Sequence, residues 1–138
     1  MSSYASGVCY PVDITAGPDG ALWFTEYGIQ PPDPPPCGGA TDAIGQITTA
    51  GVVTIYSVSG ALDSPNGITA DDGDLWFTQG RSIGEISTAG AVTVYPDEVP
   101  FIGDGASAPF PAEAVTAGPD AALWMTGVNQ IVQVVPAT

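Results

Sequence analysis

The residues able to do chemistry in this chain are almost all carboxylates. Fifteen Asp and Glu stand against one basic residue, Arg81, with no Lys and no His, for a formal net charge of −14. An acid–base step would fall to an Asp or Glu with a raised pKa, because the side chain that titrates near neutrality unaided is histidine. The densest carboxylate group is Asp71-Asp72-Gly73-Asp74. Its oxygens could ligate Ca²⁺ or Mg²⁺, but it lacks the loop spacing and distal Glu of an EF-hand and reads as a polar hairpin turn. Cys9 and Cys37 lack the spacing and the further ligands of a zinc site. They suit a disulfide and an oxidising compartment, and such a bridge would stabilise by roughly 3–4 kcal/mol in the chain-entropy model. There is no Gly-Lys-Ser/Thr phosphate loop, and no serine has a histidine to activate it. Tyr27, Tyr56 and Tyr95 read as packing residues rather than a sugar platform, and Arg81 as one half of a structural ion pair.

The charge excludes whole classes of partner. A surface this acidic is repelled by nucleic acid and by anionic membranes, and favours solubility and cationic partners. No run approaches the roughly 18 apolar residues of a membrane span. No basic segment followed by an apolar run opens the chain, so the expected secreted or extracellular location implies a signal already removed or replaced.

What must position these residues is a threefold repeat. Ile14-Thr15-Ala16-Gly17-Pro18-Asp19-Gly20-Ala21-Leu22-Trp23-Phe24-Thr25 returns at Ile68–Thr78 and again at Val115–Thr126, using one tryptophan each time. A period of this length signals a propeller or solenoid. Each copy reads as short strands: one around Ile14, Ile68 or Val115; a Gly/Asp turn; the aromatic strand; then Ile44–Thr48, Ile83–Ser87 or Ile131–Val134. A fourth strand, Val52–Val58 or Ala91–Tyr95, closes the first two copies. No 3.6-residue apolar period marks a helix. Apolar residues on both faces of these strands imply sheets covered on both sides, as in stacked propeller blades. Two insertions interrupt the pattern, one over residues 27–43 with a proline run, the other over 97–110. Residues 4–10 lie where the fourth strand of a preceding blade would lie.

The repeats resemble the streptogramin B lyase, or virginiamycin B lyase-like, propeller family. Its pattern of Pro-x-Gly-Ile-Thr-x-Gly-Pro-Asp-Gly-x-Leu-Trp-Phe-Thr-Glu, then Ile-Gly-Arg-Ile-Thr-x-x-Gly-x-Val-Thr-Glu-Tyr, is similar to Pro11–Glu26, Ile44–Tyr56, Pro65–Gln79, Ile83–Tyr95 and Pro111–Thr126. The resemblance implies a blade of a seven-bladed ring and, for the enzyme, a divalent-metal-dependent lyase that opens a cyclic depsipeptide by elimination. It places the family's histidines in a Pro-His-x-Ile element. The matching positions here are Val12, Asn66 and Ala112, none of them histidine. The acidic position after Trp-Phe-Thr is kept as Glu26 and becomes Gln79 and Gly127 in the other copies. By the same analogy Asp13, Glu26, Asn66, Gln79 and Glu113 approach the channel mouth as ligand-binding candidates. No catalytic or metal-binding residue is assigned, and no cofactor beyond a possible divalent cation.

The expectation is therefore an all-β partial propeller of three four-stranded antiparallel blades: residues 11–58, 65–96 and 111–138, the last completed by strand 4–10. Three blades leave two apolar faces bare, which predicts self-association, as a closed dimer of six blades or an open fibre. The expected role is a non-enzymatic extracellular module, structural or ligand-binding. The alternatives are a lyase with altered active site and an inactive propeller fragment.

Overall fold

A computed structural model describes residues 1–4, 7–28, 42–57, 60–62, 64–79, 82–95, 113–127 and 130–135. Within them the chain is all-β, in eleven strands and three antiparallel sheets. The first sheet holds β1 (Pro11–Ala16), β2 (Leu22–Glu26), β3 (Ala43–Ile47) and β4 (Val53–Tyr56), in chain order. The second repeats that order with β5 (Ile68–Asp71), β6 (Asp74–Gln79), β7 (Ser82–Ile86) and β8 (Val92–Tyr95). The third has β9 (Val115–Ala117), β10 (Leu123–Gly127) and β11 (Gln130–Val134). Each β-meander follows from the sequence: β-branched and aromatic runs pair across short Gly/Asp turns.

The third sheet has three strands among the described residues, where four were expected. Of the segment 4–10, none of the described residues joins it. The described part of that segment is held by the first sheet instead, where Tyr10 O accepts from Tyr27 N at 3.3 Å and Tyr4 lies over Gly51. The proline-rich part of the first insertion, and all of the second, lie outside the described residues. The base of the first is pinned by Asp42, whose carboxylate accepts from Gly28 N at 2.6 Å and Ser64 N at 2.8 Å.

Two cores form between the sheets. Trp23 and Ile44 of the first sheet meet Ile68, Leu75, Phe77 and Ile86 of the second. One repeat later, Trp76 and Ile83 meet Val115, Leu123, Met125 and Val132. Strand alternation explains the division of labour: each tryptophan points to the following sheet, while the residues flanking it point to the preceding one. The tryptophans are braced by stacked tyrosines, Trp23 on Tyr56 at 5.5 Å between centroids and Trp76 on Tyr95 at 5.8 Å.

The turns tune these tryptophans. Asp19 accepts from Trp23 Nε1 at 3.0 Å and from Gln46 Nε2 at 2.7 Å. Asp120 does the same for Trp124 and Gln133, at 3.0 and 2.9 Å. Partial burial of Asp19 opposes its charge, but the hydrogen bonds from Trp23, Ala21 and Gln46 prevail and lower its pKa. In the second repeat the turn Asp71-Asp72-Gly73-Asp74 is one residue shorter and brings no carboxylate under the ring. Trp76 Nε1 is left without a hydrogen-bond partner among the described residues. Glu85, at the position of Gln46, accepts instead from the Tyr95 hydroxyl at 2.8 Å.

Candidate functional site

The inner strands β1, β5 and β9 run side by side, and the residues just before and within them form the site that the sequence singled out. One threonine per repeat ties it together. Thr78 Oγ1 accepts from Gly67 N at 3.0 Å, Thr126 Oγ1 from Ala114 N at 3.1 Å and Thr25 Oγ1 from Asp13 N at 3.3 Å. The Thr25 hydroxyl also donates across the sheet boundary to the carbonyl of Asn66. Backbone bonds run in step: Asn66 N donates to Thr78 O, and Glu113 N to Thr126 O.

This register corrects one expected correspondence. Gly67 and Ala114 occupy the same place, so the residue matching Asn66 is Glu113, one position after Ala112. The equivalent position in the first repeat is Val12, in a strand with a register shift between Pro11 and Asp13. The position to which the resemblance assigns the family's histidines thus holds an exposed valine, a half-buried amide and an exposed carboxylate.

The remaining candidates have structural partners. Asp13 is a clamp between sheets: one carboxylate oxygen accepts from Ile14 N and the other from Ile68 N, both at 2.9 Å. Glu26 is 4 % exposed and accepts from Cys9 N at 2.8 Å. Gln79 is equally buried and donates to Ala61 O at 2.9 Å. In each case a side chain after the Trp-Phe-Thr strand grips the segment that enters its own sheet, 17 residues upstream for Glu26 and 18 for Gln79. Glu26 and Gln79 therefore hold chain to chain. Cys9, beside Glu26, is buried, and no free cysteine occurs among the described residues. Its expected partner Cys37 lies outside them, as does Arg81.

The electrostatics fit that division. Burial pushes the Glu26 carboxyl above its ordinary value of 4.5, opposed by the Cys9 N–H. Folding therefore binds the proton more tightly than the unfolded chain does. The resulting stabilisation is complete below pH 4.5 and is lost as pH rises through the folded-state pKa. Glu26→Gln keeps an acceptor for Cys9 N and removes the buried charge. It is expected to melt higher than the parent at pH 7 and to flatten the decline above pH 4.5, measured by thermal unfolding from pH 4 to 8. A lower melting temperature at pH 7 would mean that the charge itself is used.

Sequence reasoning missed the threonine column and Asp42. The threonines were visible in the recurring Trp-Phe-Thr and Trp-Met-Thr triplets, whereas Asp42 gave no signal. No group of His, Cys, Asp and Glu among the described residues could hold a metal ion. Val12, Asn66 and Glu113 do not make the donor set that a catalytic divalent cation requires.

The profile of the Virginiamycin B lyase family matches residues 2–96. The chain belongs to that family. The solved virginiamycin B lyase of Staphylococcus aureus is 29% identical to it, with a TM-score of 0.59 over 94% of this chain and 42% of that one. A catalytically inactive variant of the same enzyme, solved with quinupristin, is 26% identical over 90% of this chain and 55% of its own, with a TM-score of 0.53. A Xanthomonas campestris gluconolactonase, 17% identical with a TM-score of 0.57 over 99% of this chain and 50% of that one, shares the fold alone. The chain thus spans about half the length, or less, of these solved relatives. No curated protein matches the sequence. Membership fixes the blade architecture of the Virginiamycin B lyase family for the matched residues.

Proposed function

We propose that this chain is a non-enzymatic member of its family, an extracellular propeller module with a structural or ligand-binding role. One observation carries the reading: the three structurally equivalent positions for the catalytic histidines are Val12, Asn66 and Glu113, in a sequence with no histidine at all. Neither valine nor amide can accept and return a proton near neutral pH, and elimination needs both an acid and a base. The residues that are polar and inward, Asp13, Glu26 and Gln79, are committed to backbone groups. The half-buried Asn66 and the exposed Glu113, each just before an inner strand, offer an amide and a carboxylate for recognition instead. The expected pairing of Cys9 with Cys37 would fit the extracellular assignment, since such pairs persist in oxidising compartments.

The test is to incubate the purified chain with quinupristin and Mg²⁺ and follow the mass of the depsipeptide. No linear product is expected. Ring opening that is lost in Glu113→Gln would overturn the reading and make Glu113 the base of an altered lyase.

A further inference from the structure

The sequence holds a single Asn-Gly pair, Asn66-Gly67, and it lies where the second and third sheets meet. Gly67 cannot be enlarged there. A Cβ would stand 2.6 Å from Glu113 O, 2.9 Å from Ala114 Cα and 2.9 Å from Val115 N, all backbone at the entry to the third sheet. Packing therefore requires a residue without a side chain directly after Asn66. The same lack of a side chain leaves the Gly67 nitrogen open to the carboxamide carbon of Asn66, which is half-buried and within reach of solvent. Against this, all four backbone polar groups of the pair are held. Asn66 N donates to Thr78 O at 2.7 Å, Gly67 N to Thr78 Oγ1 at 3.0 Å and Thr78 N to Gly67 O at 2.9 Å. The Thr25 hydroxyl donates to Asn66 O. The geometry points to Asn66 as a modification site: it deamidates to aspartate or isoaspartate, at a rate that Thr78 holds down while the chain is folded.

The reaction starts when the Gly67 N–H loses its proton and the nitrogen attacks Asn66 Cγ. A bond forms between these two atoms, the Cγ–Nδ2 bond breaks, and ammonia leaves with the proton. The product is a five-membered succinimide. Water then opens the ring. Addition at Cγ breaks its bond to the Gly67 nitrogen and gives aspartate. Addition at the main-chain carbonyl carbon of residue 66 gives isoaspartate, whose main chain is longer by one methylene. One water is taken up and one ammonia released, and nothing is oxidised or reduced. The bond to Thr78 Oγ1 opposes the first step, because an N–H engaged as a donor in a buried bond ionises slowly. The other three bonds oppose the rotation that brings the nitrogen onto Cγ, so attack waits for local opening. Either product puts a carboxylate at position 66, as Glu113 does in the third repeat. Isoaspartate also lengthens the main chain beside the close approach of Gly67 to Glu113 O.

The test incubates the intact chain at pH 8 and 37 °C, once folded and once unfolded in urea. A protease that cuts before aspartate releases the segment from Asp63 to Ala70, which carries Asn66. Mass spectrometry then reads the change from amide to acid. Aspartate at 66 adds a new cut, and isoaspartate does not. Modification is expected to be about tenfold or more faster in urea than in the folded chain. In the folded state Thr78→Val, which removes the acceptor of the Gly67 N–H, should react about fivefold faster than the parent, and Thr78→Ser, which keeps the hydroxyl, within about twofold of it. Equal rates for the folded and the unfolded parent overturn the inference, whether or not the valine variant folds. So does a Thr78→Val chain that is folded by circular dichroism and reacts no faster than the parent, or an Asn66 that stays unmodified even in urea. None of these outcomes depends on turnover of quinupristin or on ligand binding.

Discussion

Gly84→Val is expected to destabilise the chain by about 3 kcal/mol, and Phe77→Met to restore much of the loss. A Cβ on Gly84 would lie 2.0 Å from Phe77 Cζ, because the ring covers the glycine of its cross-strand partner. Phe77 is fully buried in the core against Trp23, Ile44 and Leu75, so the ring has nowhere to go. The third sheet has solved the same problem with the opposite sizes, pairing Met125 with Val132. Phe77→Met alone should cost about 1 kcal/mol, as a near volume-conserving change. In urea unfolding the double variant should lie well above the sum of the single losses, with a coupling of at least about 1 kcal/mol. Strictly additive losses would remove the size exchange as an explanation. The first sheet offers a gradient. Gly45 sits under Phe24 in the same way, but that ring borders an open groove, so Gly45→Val should cost less.

Gly67→Ala should open the seam between the second and third sheets, with a loss of about 2–3 kcal/mol. The added Cβ would meet Glu113 O at 2.6 Å, Ala114 Cα at 2.9 Å and Val115 N at 2.9 Å. All three are backbone atoms at the entry to the next inner strand, so relief requires moving that backbone rather than a side chain. The control is Gly73→Ala, at a turn with φ +89° and open space around it. That change should cost about 1–2 kcal/mol through backbone conformation alone. Hydrogen exchange separates the two. Gly67→Ala should speed exchange at the Glu113 and Thr126 amides, which bond across the third sheet, and Gly73→Ala should leave them unchanged. Equal protection in both variants would show that the close approach at Gly67 is dispensable.

The same seam bears on the functional reading. The family resemblance is what places Asp13 and Glu26 near the channel mouth. Their observed partners follow from the cost of burying unpaired backbone groups. Ile68 N and Cys9 N sit where chain segments cross between or into sheets, beyond the reach of a strand ladder, and a carboxylate satisfies each. Gln79 does the complementary task for a carbonyl, which is why an amide replaces the acid there.

By itself the sequence determined the blades. Three Trp-centred repeats, their Gly/Asp turns and apolar residues on both strand faces lead to stacked antiparallel meanders, because the period and alternation of side chains are local properties of the chain. Family membership was legible for the same reason. The tertiary structure alone decided what the polar residues do, since a hydrogen bond from Asp13 to Ile68 joins positions 55 residues apart with no pattern between them. The correspondence of Glu113 with Asn66 was legible as well, since each lies two residues before the start of its repeat, at Val115 and Ile68; the threonine hydrogen bonds agree with it. The tertiary structure also decided that Tyr4 belongs to the first sheet: a ring seated on Gly51 is a contact between distant segments, and no spacing along the chain records it.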